Sequence, residues 1–211
     1  MGKLIQLGNY HKNPYEGREG IPYKVTGYYK NADAVEKVLH YVSRTRELEN
    51  KHDELLFWSG HGVKISNIDT TIHQFQMLQK NMRETTVRKL FHLSYTFDNV
   101  EQEHLLRNIP LLKLVVNAQA NIFFCAGYQV VYSVHYDSVK RLHAHFVINS
   151  VNPSTGLMLH YPRALNSRIE NLMTSISYDM IAKECGKQHP FDYVIDGSVM
   201  EYRKKEYPCY G

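Results

Sequence analysis

Two histidines separated by a single residue, His143 and His145, are the feature of this sequence best suited to chemistry. They lie in the stretch LHAHFVINS, residues 142–150, whose alternating pattern predicts a β-strand. Because side chains alternate between the two faces of a strand, both imidazoles share one face, and the opposite face is uniformly apolar. We expect the apolar face to pack on helices and the histidine face to stay open.

A third histidine joins this pair if the strand forms a hairpin with the segment before it. Residues 122–135 also predict a strand, with His135 at its end and residues 136–141 as a connection of hairpin length. Three imidazoles on neighbouring strands can bind a metal and leave coordination positions open. Such a metal can act as a Lewis acid on a phosphate oxygen. The pattern alone therefore indicates a metal-assisted hydrolase or phosphoryl transferase, and purely structural histidines are the alternative.

Helices and strands alternate along the chain, and these elements must position the histidines. The predicted helices span residues 31–42, 69–88, 100–120 and 163–186, and the predicted strands span residues 90–97, 122–135 and 142–150. Pro110 kinks a helix or starts a second one, and Gly127 could form a bulge. Residues 59–67 are expected to form a loop with at most a short strand. The pattern predicts an α+β fold in which one antiparallel sheet carries helices packed on one face.

The composition is that of a globular protein. Of 211 residues, 43% are hydrophobic and 22% are charged, which excludes wholesale disorder. We expect a single domain over residues 1–211, with residues 1–30 partly a mobile arm and residues 187–211 a peripheral tail. No apolar run reaches the roughly 18 residues of a membrane span, and no signal peptide is evident.

Cysteine usage and charge bear on the compartment and the partner. The three cysteines are scattered and form no CxxC motif, which makes a thiolate zinc site an unfavoured interpretation. Their small, odd number favours a reducing compartment such as the cytoplasm. Cys125 is expected to be a buried thiol in a strand. The net charge of +4 favours a polyanionic partner.

Three stretches of the chain, His135-x-Asp137 with residues 142–152, FHLSYTF at residues 91–97 and LHYVSRTR at residues 39–46, resemble the motifs of relaxases, the mobilisation nucleases of plasmids and integrative conjugative elements. His135-x-Asp137 followed by LHAHFVINSVN is similar to their third motif, in which two histidines bracket one hydrophobic residue. The stretch FHLSYTF at residues 91–97 is similar to the second, with Thr96 in place of the usual serine. The stretch LHYVSRTR at residues 39–46 resembles the first, in which a helix-borne tyrosine precedes a basic turn. The chain thus looks like the P-type mobilisation class of the HUH endonuclease superfamily.

This resemblance implies a site- and strand-specific endonuclease that nicks a transfer origin through a tyrosine–DNA 5′-phosphate intermediate and so starts conjugative transfer. Tyr41 would be the nucleophile, with Tyr28 and Tyr29 as the nearest alternatives. Asp137 would orient His135. The ligands of Mg²⁺ or Mn²⁺ would be His135, His143 and His145. The DNA contacts would be Thr96, Arg44, Arg46, Lys140, Arg141 and Asn149.

The implied partners are single-stranded DNA with a hairpin at the transfer origin and accessory relaxosome proteins. The implied location is the cytoplasm, without a membrane. A replication initiator or transposase of the same superfamily is one alternative, but initiators usually place the tyrosine after the histidines. A non-catalytic DNA-binding domain with a structural metal is an alternative of a different class.

Overall fold

The structure is a computed structural model that describes residues 23–45, 54–80, 88–137, 141–159 and 163–184. These residues fall into two compact units. The sheet unit lies within residues 21–97 and 127–160, and the helical unit takes in the described residues 98–126 and 163–184. The organisation of the whole chain as one domain stays a prediction.

The sheet unit is built on five antiparallel strands within the described residues. The strands are β1 (Tyr23–Tyr29), β2 (Glu54–His61), β3 (Leu90–Thr96), β4 (Val130–Tyr136) and β5 (Leu142–Asn149). Their order across the sheet is β1-β3-β5-β4-β2, so β4 and β5 form a hairpin at its centre. In this hairpin His135 pairs directly with His143. The predicted α+β fold with an antiparallel sheet is confirmed.

Two helices, α1 (Ala34–Ser43) and α2 (Ile68–Lys80), pack on one face of this sheet. The apolar cluster between them and the strands comprises Val35, Val38, Leu39, Val42, Ile72, Phe75, Leu90, Val131 and Val147. Burying an aliphatic side chain of this kind stabilises the fold by about 1.5–3 kcal/mol. The cluster therefore fixes α1 firmly against the sheet.

The face that α1 and α2 cover is the histidine face, so the prediction that this face would stay open is wrong. Val147 follows His143 and His145 on the same side of β5, and Val131 is its partner on β4. The face is polar around the histidines and apolar at Val131 and Val147. Its apolar continuation recruits the helices, which brings α1 over the imidazoles.

The helical unit contains α3 (Asn99–Arg107), α4 (Ile109–Cys125) and α5 (Arg163–Glu184). Pro110 lies in the first turn of α4 and starts this second helix, where the missing N–H costs nothing. Asp98 caps α3 by accepting hydrogen bonds from two backbone N–H groups, and the Glu101 carboxylate completes the capping box. No helix among the described residues is both long and apolar enough to cross a membrane.

The segment 122–135 differs from its predicted single strand. Helix α4 continues to Cys125, and β4 begins only at Val130. Gly127, with φ of 92°, lies in the turn between them instead of forming a bulge. Its left-handed backbone favours glycine, and a Cβ there would lie 2.3 Å from the side-chain nitrogen of Asn152. Cys125, expected as a buried thiol in a strand, is half-buried at a helix end and disulfide-bonded.

The sequence patterns do not predict the two outer strands, β1 and β2, in full. β1 lies in the segment expected to be partly a mobile arm, and β2 extends well beyond the short strand expected near residues 59–67. Helix α2 is described from Ile68 to Lys80, and the rest of its predicted span, residues 81–87, lies outside the described residues. Residues 1–22 and the predicted tail 187–211 also lie outside them.

Candidate active site

The β4–β5 hairpin brings three imidazoles together on one face of the sheet. His135 lies opposite His143, and the next residue on that face of β5 is His145. One nitrogen from each ring lies within 4.8 Å of the others, which is close enough to share a metal ion. His135 and His145 are buried, and His143 is half-buried. The structure therefore brings together all three predicted ligands.

Backbone carbonyls fix the orientation of two of these rings. Nε2 of His135 donates to the carbonyl oxygen of Val42 at 2.7 Å, and Nδ1 of His143 donates to that of Arg141 at 3.2 Å. A carbonyl oxygen only accepts hydrogen bonds, so each of these ring nitrogens carries the proton. The lone pair is then on Nδ1 of His135 and on Nε2 of His143. The Val42 carbonyl lies in the last turn of α1, where it has no partner within the helix.

The third ring is oriented by another histidine. Nδ1 of His145 lies 3.0 Å from Nε2 of His92 on β3, and Nδ1 of His92 lies 3.2 Å from the hydroxyl of Tyr29. Nε2 of His145 is buried and has no hydrogen-bond partner among the described residues. An unsatisfied buried polar atom costs about 1–3 kcal/mol, and a metal would satisfy this one. The three rings thus fit a metal ion, each with its second nitrogen held by the protein.

His92 is a site residue to which the sequence assigns no role. It lies in the second relaxase-like motif, on the same face of β3 as Thr96. Because side chains alternate along β3, the sequence does predict the face of the strand on which His92 lies. Its contact with His145 depends on β3 being the neighbour of β5, which no local pattern reveals.

The buried histidines are held in their neutral form. Burial lowers the pKa of His135 to about 3 and that of His92 to about 4, and it lowers the pKa of His145 well below its usual value. The positive charge of Arg44 lowers the pKa of His135 and His145 further. A neutral imidazole has the lone pair that a metal requires.

Tyr41 lies over this group of histidines, on the last turn of α1. Its ring centroid is 5.5 Å from that of His145, 6.0 Å from that of His92 and 6.4 Å from that of His135, in edge-on contacts. Tyr41 is nevertheless 36% exposed, which leaves room for a substrate. Tyr29, one of the alternative nucleophiles, has its hydroxyl against His92, and the side chain of Tyr28 lies outside the described residues.

Arg44 ends α1 and reaches into the same group. Its backbone is left-handed, with φ of 54°, and this turns the chain sharply after the helix. The guanidinium Nη2 lies 3.1 Å from Nδ1 of His135, and the guanidinium carbon lies 4.7 Å from the centroid of the Tyr41 ring. Of the other predicted cationic contacts, Arg46 and Lys140 lie outside the described residues.

Asp137 does not contact His135, so the expected orienting role is wrong for this geometry. Its carboxylate accepts hydrogen bonds from the backbone N–H of Arg141 at 2.8 Å and from the guanidinium of the same residue at 3.2 Å. It therefore closes the β4–β5 hairpin. The Arg141 side chain is 66% exposed. Thr96, at the end of β3, pairs with His143 and lies at the edge of the histidine group.

Asn149 is fully buried, and its predicted contact with DNA is therefore wrong. Its side-chain amide donates to the carbonyl oxygen of Phe75 at 3.1 Å and to the side-chain oxygen of Gln129 at 3.0 Å. Its side-chain oxygen accepts a hydrogen bond from Gln79 at 3.3 Å. Asn149 lies on the histidine face of β5, and its hydrogen bonds to Phe75 and Gln79 tie α2 to the sheet.

Residues 41–180 match the family model described as the MobA/VirD2-like nuclease domain of relaxases. The match covers more than half of the chain, begins at Tyr41 and includes the three histidines of the hairpin. The chain therefore belongs to this relaxase family, and relaxase-type nicking of DNA is its function class. No curated protein matches it.

Proposed function

We propose that the chain is a relaxase that cuts one DNA strand at a transfer origin through a covalent bond to Tyr41. The observation that carries this proposal is the position of the Tyr41 ring. It lies edge-on to the imidazoles of His92, His135 and His145 and is still exposed to solvent. A phosphate bound at the histidine group would lie close to the Tyr41 ring, which supports its role as the nucleophile.

The proposed reaction is a transesterification. The hydroxyl oxygen of Tyr41 forms a bond to the scissile phosphorus, and the bond from phosphorus to the 3′ oxygen of the preceding nucleotide breaks. The phenol loses a proton and the leaving oxygen gains one, so a free 3′-hydroxyl is released. The DNA 5′-phosphate stays attached to Tyr41, which preserves the phosphodiester for later rejoining. The rigid position of Tyr41 at a packed helix end lowers the entropic cost of the attack.

The metal is proposed to be held by Nδ1 of His135 and by Nε2 of His143 and His145. When bound, a divalent ion would polarise a phosphate oxygen as a Lewis acid. Of the two ions expected, Mn²⁺ suits this site better than Mg²⁺. Imidazole nitrogens are poor ligands for Mg²⁺, which prefers carboxylates and water. Mn²⁺ also favours oxygen ligands, but as a first-row transition metal it binds nitrogen ligands more readily than Mg²⁺ does.

Binding of the strand is proposed to use the cationic and polar groups around the histidines. Arg44 and Arg141 would contact the phosphate backbone, and the hydroxyl of Thr96 would bond a phosphate oxygen. The substrate is proposed to be single-stranded DNA beside a hairpin, with accessory relaxosome proteins assisting in the cytoplasm. Arg46 and Lys140 remain proposed contacts of the same kind.

The test uses single-stranded oligonucleotides that span candidate origins, incubated with the protein and Mn²⁺. The expected product is a protein–DNA adduct whose mass shift localises to the peptide that contains Tyr41. Nicking without any adduct would indicate that water is the nucleophile. The absence of both nicking and adduct on every origin, together with retained DNA binding, would favour a non-catalytic DNA-binding domain. A replication initiator or transposase would form the adduct but act on a replication origin or a transposon end.

A further inference from the structure

The guanidinium of Arg44 occupies the one nitrogen of His135 that has a lone pair. Nε2 of His135 carries a proton because it donates to the Val42 carbonyl. Nδ1 is therefore the acceptor, and it faces Nη2 of Arg44 at 3.1 Å. A ring nitrogen has a single lone pair in the ring plane, so Nδ1 cannot bind a guanidinium hydrogen and a metal ion together.

Electrostatics adds to this conflict. A guanidinium beside Nδ1 and a divalent ion bound at Nδ1 would be like charges only a few ångströms apart in a partly buried site. Repulsion at such distances amounts to several kcal/mol even in a protein environment of intermediate polarity. The Arg44 side chain must therefore leave its position over His135 when the metal is bound.

We propose that Arg44 is a placeholder cation that occupies the His135 ligand nitrogen until metal and DNA bind together, and that it then moves to the phosphate backbone beside Tyr41. The inference rests on the metal site of the proposed function. It adds a coupling between two ligands: metal binding releases the guanidinium to DNA, and a DNA phosphate that attracts the guanidinium frees His135 for metal. Arg44 is in this sense a positioning residue that makes the two binding events cooperative.

The contacts of Arg44 fit this movement. The guanidinium already lies over the Tyr41 ring, 4.7 Å from its centroid, so a phosphate poised for attack by Tyr41 would be near it. The α-carbon is fixed by the left-handed end of α1, where the Arg44 N–H bonds to the Tyr41 carbonyl. Only the side chain has to rotate, and the helix that carries Tyr41 stays in place.

The first experiment measures Mn²⁺ binding by calorimetry in the absence of DNA. Arg44→Gln is expected to bind Mn²⁺ at least about fivefold more tightly than the wild type, which is the lower end of typical coupling between sites. If Arg44 merely held His135 in position, the same change would weaken binding. Equal or weaker affinity would overturn the proposal.

A matched control removes the same charge from the same helix. Lys37 lies on α1 and is ion-paired with Asp33, so Lys37→Gln is expected to bind Mn²⁺ as the wild type does. Arg44→Asn repeats the test with a residue that tolerates the left-handed backbone, and it guards against misfolding of Arg44→Gln. If Lys37→Gln gained as much Mn²⁺ affinity as Arg44→Gln, the effect would be one of net charge alone. The proposal that Arg44 specifically occupies the His135 nitrogen would then be refuted.

The second experiment measures the coupling itself, in a Tyr41→Phe background that cannot form an adduct. A single-stranded oligonucleotide is expected to tighten Mn²⁺ binding, and Arg44→Gln is expected to reduce this gain. An unchanged gain would overturn the proposal. Failure of Mn²⁺ to bind any of these proteins would refute the metal site of the proposed function, whereas normal binding that is insensitive to Arg44 would refute only this inference.

Discussion

The imidazole rings of His92 and His145, on neighbouring strands β3 and β5, are joined by a hydrogen bond of 3.0 Å. When Nε2 of His145 serves as a ligand, Nδ1 carries the proton and donates it to His92, which in turn donates to the Tyr29 hydroxyl. This chain sets both the tautomer and the direction of the His145 ring. The proposed metal site therefore depends on a residue that is not one of its three ligands.

Replacing His92 with phenylalanine is expected to weaken Mn²⁺ binding by about 10–100-fold, the usual cost of losing the group that orients a metal-bound histidine. Phenylalanine keeps the ring and removes the acceptor for His145. Tyr29→Phe removes only the last hydroxyl of the chain and should have a smaller effect. Calorimetry with Mn²⁺ measures both. Unchanged affinity in His92→Phe would show that packing alone orients His145.

Replacing His143 with alanine is expected to abolish metal-dependent nicking and to leave the fold intact, because this ring is only half-buried at the end of β5. His145→Ala should also abolish nicking but lower the free energy of unfolding by about 1–3 kcal/mol, since it leaves buried His92 without its partner. Nicking assays and urea denaturation separate the two effects. Near wild-type nicking by either variant would contradict the ligand assignment.

Replacing Asn149 with alanine is expected to lower the free energy of unfolding by about 1–3 kcal/mol and to leave oligonucleotide affinity unchanged. The amide is buried and bonds Phe75, Gln129 and Gln79, so the change leaves polar groups unsatisfied. Urea denaturation and fluorescence anisotropy with a labelled oligonucleotide measure the two quantities. A loss of oligonucleotide affinity without a loss of stability would support the original prediction that Asn149 contacts DNA.

The affinity for single-stranded DNA is expected to fall as salt rises, because bound cationic side chains release counterions from the phosphates. Each contact adds about 0.7 to the slope of log affinity against log salt, so Arg141→Gln should reduce the slope by about that amount. Arg107→Gln, which removes a charge paired with Glu103 on α3, serves as the control. A slope that is identical in Arg141→Gln would remove this residue from the interface.

Local patterns predict the centre of the molecule well. The alternation of residues 142–150 predicts β5, and the spacing to His135 predicts the hairpin that gathers the three ligands. The periodicity of α1 together with the first relaxase-like motif predicts Tyr41 near a helix end. Each of these features depends on residues close together in the sequence, which is where sequence patterns are most informative.

Sequence patterns miss the features that depend on which strands lie side by side in the sheet. The contact of His92 with His145 and the burial of Asn149 under α2 follow from the strand order and from helices on the histidine face. Asp137 accepts its described hydrogen bonds from Arg141, within its own hairpin. The strand predicted to begin at residue 122 fails because Ile122 and Phe123 are buried as part of α4, and short apolar runs do not distinguish helix from strand.

The central claim, that Tyr41 is the nucleophile, is tested most directly by intact-protein mass spectrometry after incubation with origin-spanning single-stranded oligonucleotides and Mn²⁺. Wild type should gain the mass of the 5′-phosphorylated DNA fragment downstream of the nick. Tyr41→Phe, which loses only one oxygen, should bind the same oligonucleotide with similar affinity and gain no mass. An adduct of the same mass on Tyr41→Phe would show that another residue attacks the phosphate and would contradict the account.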